Sequence, residues 1–524
     1  MDRTHDSVTD LRPTQCNIDN IQEPPDVSFK RQVAEEEGVL DRTTRVRRVF
    51  SSAQFFAFSL AYMGAWEGVC LNLVFALMNG GPRTLFFGMV IAVVGALAQA
   101  ACLGEMASMI PVAGAQYHWT FHMAPKRIRM FATWIQGWTT WFGYVALQAA
   151  LANILVVQLE TLISLNSTTY IAGGWKTSVL VIASAVVQGL INAYAFRLVP
   201  WLETISKILH VALFILVLVV FVVMAPKHSA SFLLKPMIAS GWDQNPYVSW
   251  HLGMLTCVFS ITGVDGVIHM SEETRQDESA VPRAMVWSIA INGSLAIIMA
   301  AVILIHMGDV EVALGSPNIF ATILLNITGS RAATTAIISG FFLLGFNSSL
   351  TTLSSVSRLT WAWSRDGGLP AYFIYLDPKH RTPVRCVWLS VVLVSLICLL
   401  NLGSPGTIAF HAITSLSAFA FFFSYSVAIA CLLYARLAGN ITLGEWNMGK
   451  WGIPVSLYAL VYSLYIMVFL PFPSVLPVNA NSMNYMGPVF GFVLFVVVMW
   501  WFLHGRRHWP GPNLTIMEYV VIHS

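Results

Sequence analysis

Between roughly residues 50 and 505 the chain alternates runs of about twenty apolar residues with short polar breaks, and about twenty residues is what a helix needs to cross the hydrocarbon core of a bilayer. Twelve such runs start near residues 52, 83, 130, 175, 201, 247, 284, 332, 384, 406, 452 and 485. They predict an all-α integral membrane protein with twelve transmembrane helices. Ahead of them, the first fifty residues mix Asp, Glu, Arg and Pro with no helical or strand period, which predicts a disordered tail.

The breaks differ in chemistry. "HMAPKRIRM", "RDGGLPAYFIYLDPKHRTPVR" and "HGRRHW" are basic, whereas "NLGSPGTIAF" and "PFPSVLPVNANSMNY" carry neither Lys nor Arg. Alternating them between two sides places roughly 19 Lys and Arg beside the membrane on the side of both termini and about 5 on the other, so both termini are expected in the cytosol. The glycosylation sequons at Asn166 and Asn326 fall in loops assigned outside; those at Asn440 and Asn513 fall inside and are expected to stay unused.

Composition supports the bilayer reading. Of 524 residues 56% are apolar and only 10% charged, with mean hydropathy +0.67, against about 25% charged in an ordinary soluble domain. The net charge of +3 is spread over short loops, which excludes a nucleic-acid-binding face. No apolar signal region stands near the start. The seven cysteines sit mostly inside apolar runs without metal-ligand spacing and read as small buried hydrophobes; neither cofactor nor metal is expected.

Two runs are interrupted. The first contains "GAWEG", residues 64–68, and the sixth contains "SITGVDGVIHMSEE", residues 260–273. Paired Gly-interrupted segments in corresponding positions of two halves point to an inverted-repeat transporter with its site at the breaks. Irregular backbone at membrane depth is tolerated only where protein or a wet cavity covers it. Freed NH groups at the start of one half-helix suit a carboxylate, and freed carbonyls at the end of the other suit an ammonium. Against this stands close packing, for which Gly64, Gly68, Gly263 and Gly266 would serve equally. Glu67 and Asp265 are costly at membrane depth and are candidate site residues; capping a half-helix or pairing with an internal base is the structural alternative.

"SITGVDGVIHMSEETRQDESAVPRAM", "LGEMASMIPVAGAQYHW" and "SRLTWAWSRDGGLP" together resemble the signatures of the amino acid–polyamine–organocation permeases. The "QYHW", "HMSEE" and "GAWEG" variants are most similar to the fungal choline, GABA and amino acid permease branch. The resemblance implies a LeuT-type 5+5 inverted repeat with broken first and sixth helices. Residues 1–48 would then be a cytosolic tail, 49–435 a ten-helix transport core, 436–505 helices eleven and twelve, and 506–524 a second cytosolic tail. It further implies solute contacts from Gly64, Ala65, Trp66, Glu67 and Gly68 on the first helix, and from Thr262, Gly263, Val264 and Asp265 on the sixth, with Phe259 closing over the ligand. Val112 and Ala115 depart from the pattern, which has a hydroxyl residue and a glycine there. On the fifth helix the resemblance makes His210 a proton-coupling candidate, with Lys207 and Glu203 one and two turns earlier; a buried histidine bonded to a carbonyl is the alternative.

Trp134, Trp138 and Trp141 share a helix face that would suit a cation–π wall for a quaternary ammonium, though such faces are more often interfacial belts or packing. Glu272 and Glu273, and the Arg365–Asp366 turn, read as an ion-pair gate on the cytosolic side. No GxxxxGK[ST] is present, so ATP is not the expected energy source. The expected function is import of a small amino acid, GABA or choline with protons at the plasma membrane; a non-transporting nutrient sensor of the same fold is the alternative. An enzyme would need clustered His/Asp or Ser/His groups, which the scattered histidines do not supply.

Overall fold

The computed structural model describes residues 50–513 except 168, 274–278, 309, 311–313, 316–317, 403–405 and 481, with backbone alone at 406–412. The expected tails, 1–48 and most of 506–524, lie outside the described residues. Within them the regular structure is helical, and twelve helices are long and apolar enough to cross a membrane. The first is Ser52–Met78, the third Arg129–Asn166, the fifth Phe196–Met224, the sixth Pro246–Glu273, the eighth Arg331–Arg365 and the tenth Ile413–Leu437. The protein is therefore a multi-pass membrane protein. Successive spans alternate in direction, which defines two faces. Lys126, Arg127, Lys379 and Lys450 mark the basic face, and exposed Asn166 and Asn326 mark the sequon face.

Local chemistry starts these helices where the sequence pattern placed them. Ser51 caps the first through a reciprocal box with Gln54, and Pro82 and Pro246 occupy the first turns of the second and sixth, where a missing NH costs nothing. Burial then sorts the spans. The sixth is 83% buried over its apolar window and the twelfth 22%, so the sixth runs through the bundle while the twelfth presents apolar side chains such as Phe492 and Phe495 outward.

Both interruptions are present, and they separate the two readings of the glycines. At Gly64 (φ +48°) the helix Ser52–Met63 ends and Ala65–Met78 begins. In the sixth span Pro246–Ser260 ends, Gly263 takes φ +94°, and the chain continues as a ten-residue 3₁₀ segment, Val264–Glu273. Left-handed backbone favours glycine because it lacks a Cβ. Gly68 and Gly266 instead serve close packing: a Cβ on Gly266 would fall 2.2 Å from the Tyr62 ring, and one on Gly68 3.0 Å from Ser260.

Toward the basic face the bundle is sealed by buried ion pairs. Arg358 bonds Glu273 (2.7 Å) and lies 4.1 Å over the Phe196 ring, Arg365 meets both oxygens of Glu272 at 3.2 Å, and Arg436 pairs with Glu105. This is the arrangement anticipated for Glu272, Glu273 and Arg365. Asp366 takes a different partner set: the Tyr117 hydroxyl (2.6 Å), His118 Nε2 (2.8 Å) and the Asn513 backbone NH (3.0 Å). Burial alone would raise the Asp366 pKa, but His118, the Arg365 guanidinium and the Tyr117 hydrogen bond outweigh it and hold the carboxyl below its usual range. Burial, reinforced by Asp366, pushes Tyr117 well up. The Trp134, Trp138 and Trp141 face belongs here too. Trp134 and Trp138 contact Trp363, and Trp134 also meets Trp509, so the face forms an aromatic cluster and not a wall of the cavity described below.

A candidate solute cavity at the two breaks

A cavity of about 90 Å³ lies where the two interruptions face the third and eighth spans. Gly64, Glu67 and Gly68 line it from the first span, Phe259 and Thr262 from the sixth, and His210 from the fifth. A larger cavity of about 450 Å³ adjoins it toward the sequon face; Asn72 and Phe259 belong to both, so Phe259 stands at the passage between them. Among the described residues neither Lys, Arg nor Asp lines the smaller cavity.

Its electrostatic centre is Glu67. Restarting the helix at Gly64 puts Glu67 in the first turn of the second half-helix, where unbonded NH groups and the positive dipole end favour a carboxylate. One oxygen, Oε1, lies 2.6 Å from His210 Nδ1; the other, Oε2, is buried without a partner among the described residues. A carboxylate with one satisfied and one open oxygen on a cavity wall can take an ammonium from the solute or a proton. Trp66 Nε1 reaches the same His210 nitrogen at 3.2 Å, and the indole is wholly buried among His210, Phe214 and Phe341.

The other expected contacts are placed differently. Ala65, Trp66, Gly263, Val264 and Asp265 are not among the lining residues. Asp265 points into a buried layer nearer the basic face, where Gln116 and the Tyr425 hydroxyl hydrogen-bond its two oxygens. Of the fifth-span candidates, His210 meets Glu67. Glu203 is fully buried against the eighth span, accepting from Thr351 (2.6 Å) and Asn347 (2.9 Å), and Lys207 is half-buried away from the cavity. Sequence reasoning did not single out Tyr62, Asn72, Gln158 or Ser348, all of which line the cavity. For Gln158 a signal was available: Leu147, Leu151, Ile154 and Gln158 recur at helical spacing on one face of the third span.

Twelve apolar spans among the described residues, two of them opened within their length around a cavity with one carboxylate, describe a polytopic membrane carrier of small solutes. The chain belongs to the amino acid permease family, whose model matches residues 50–498. It is similar to amino-acid permease 2 of Neurospora crassa, 27% identical over 484 residues that cover 90% of this chain and 88% of that one. An uncharacterized amino-acid permease of Schizosaccharomyces pombe is 26% identical over 483 residues, with the same coverage of 90% and 88%. The choline transporter of Saccharomyces cerevisiae is 25% identical over 477 residues, covering 88% of this chain and 82% of that one. The protein is thus a secondary transporter of amino compounds.

Proposed function

We propose that the protein imports a small amino compound across the plasma membrane, with its basic face in the cytosol, and couples import to inward proton movement. The observation that carries this reading is the open Oε2 of Glu67 on the cavity wall, with Oε1 bound to His210. The solute's ammonium would approach Glu67 between the apolar surfaces of Phe259 and Phe341. A carboxylate adjacent to that ammonium would meet the NH groups of the breaks. Histidine titrates near neutral pH, so the Glu67–His210 pair can carry a proton in and release it once the solute leaves. The basic loops and the two exposed sequons support a cytosolic basic face. The transport machinery would occupy residues 49–435, with 436–505 outside the repeats.

The test is uptake into proteoliposomes under an inward proton gradient, using labelled choline, GABA and a panel of amino acids. Accumulation that a protonophore collapses supports the reading. Accumulation driven by sodium and indifferent to the protonophore removes proton coupling, and binding without accumulation replaces transport by sensing.

A further inference from the structure

Gln158 is 3% exposed, lines the cavity from the third span, and its side-chain oxygen has no hydrogen-bond partner among the described residues. An unsatisfied buried amide costs about 1–3 kcal/mol, so a group in the cavity that bonds it recovers that cost. Space has been cleared for it on the facing helix. A Cβ built on Gly345 would lie 3.2 Å from both terminal atoms of the amide, tighter than ordinary contact. Gly345 makes no positive-φ turn, so its lack of a side chain serves this approach.

The rest of the lining sharpens the point. Leu147, Leu151 and Ile154 occupy the same face of the third span, and Leu344 and Phe341 face them from the eighth. Asn72, Ser260, Thr262 and Ser348 also line the cavity, but each donates to a backbone carbonyl, whereas the Gln158 amide stands among apolar neighbours as one of the few polar groups that can orient a ligand. The unpartnered amide oxygen can accept from a solute hydroxyl, and the amide NH₂ can donate to a carboxylate.

We propose that Gln158 determines specificity by hydrogen-bonding a second polar group of the solute, remote from the ammonium that Glu67 receives. The preferred solutes are then bifunctional: an ammonium joined by a short carbon chain to a hydroxyl or carboxylate. This rests on the assignment of Glu67 as the ammonium site, and the experiment separates the two.

Purified protein in detergent is titrated by thermal shift with two pairs of permanently or predominantly charged probes. The pairs are choline with ethyltrimethylammonium, and 4-aminobutyrate with n-butylammonium. Wild type is expected to prefer the bifunctional member of at least one pair by about tenfold or more, since a site built to bond a polar group rejects the analogue lacking it. Gln158→Leu is expected to weaken the bifunctional member and leave the other unchanged, bringing the ratio near one. Gly345→Ala, which crowds the amide without removing it, should reduce the same ratio, and covers the case in which Gln158→Leu fails to fold. Glu67→Gln should weaken both members equally. A wild-type ratio near one, or a ratio that survives both Gln158→Leu and Gly345→Ala, overturns the Gln158 assignment. Undiminished binding by Glu67→Gln overturns the ammonium site instead, while the Gln158 ratio is still read in wild type.

Discussion

His210 Nδ1 lies 2.6 Å from Glu67 Oε1, and this contact joins the fifth span to the restarted half of the first at the cavity wall. A single proton fits between the two atoms. The Trp66 indole NH points at the same nitrogen from 3.2 Å, so it competes with Glu67 for that one site on the imidazole.

Replacing Glu67 by Gln keeps the shape and removes both charge and proton. Uptake is expected to fall at least about tenfold, the loss of one charge-assisted contact, with unchanged size-exclusion behaviour. Uptake equal to wild type would remove Glu67 from the mechanism.

Under the proposed coupling, acidifying the sequon side from about pH 7.5 to about 5.5 raises wild-type uptake, because the proton is taken up there with the solute. His210→Asn should flatten that dependence. Trp66→Phe, which deletes the NH that competes for the nitrogen, should leave uptake responsive to pH but shift its midpoint; pH–rate profiles in proteoliposomes decide both.

On the basic face, Glu273→Gln leaves the Arg358 guanidinium buried and unbalanced. Breaking such a pair costs about 3–5 kcal/mol, so a clear drop in Tm is expected. The exchanged double variant, Glu273→Arg with Arg358→Glu, should recover part of it.

Trp509 donates its indole NH to the Asp366 carbonyl at 2.8 Å and packs on Trp134 and Trp363, so the segment after the twelfth span is fastened to the sealed face. Trp509→Ala is expected to cost about 3 kcal/mol and to increase labelling of a cysteine placed at Ser364 by a thiol reagent added from the basic side. Unchanged labelling would make the contact merely structural.

Ala115 adopts φ +45° with ψ −109°, a sparsely populated conformation that costs a residue with a Cβ about 1–3 kcal/mol. It caps the short helix Gln116–Met123, which carries the Gln116, Tyr117 and His118 contacts. Ala115→Gly should raise Tm, restoring the glycine that the resemblance led one to expect.

Much of this architecture was legible in one dimension. Bilayer thickness sets span length, so twelve apolar runs located twelve helices to within a few residues, and capping residues such as Ser51 and Pro246 marked where they begin. The interruptions at Gly64 and Gly263 were equally visible, since few residues other than glycine tolerate that backbone. What spacing left open was which side chains share a wall. "GAWEG" reads as one motif, yet its helix turns Glu67 to the cavity and buries Trp66 against Phe214 and Phe341. Asp265, Glu67's counterpart in the sequence, turns toward Gln116 and Tyr425 just after the chain leaves the helix at Gly263. Likewise the meeting of Glu67 with His210, 143 positions apart, and of Gln158 with Gly345, depends on how helices dock against each other. A chain's own periodicity determines which residues form a helix and which lie on one face of it. Only the packing of the whole bundle decides what that face meets.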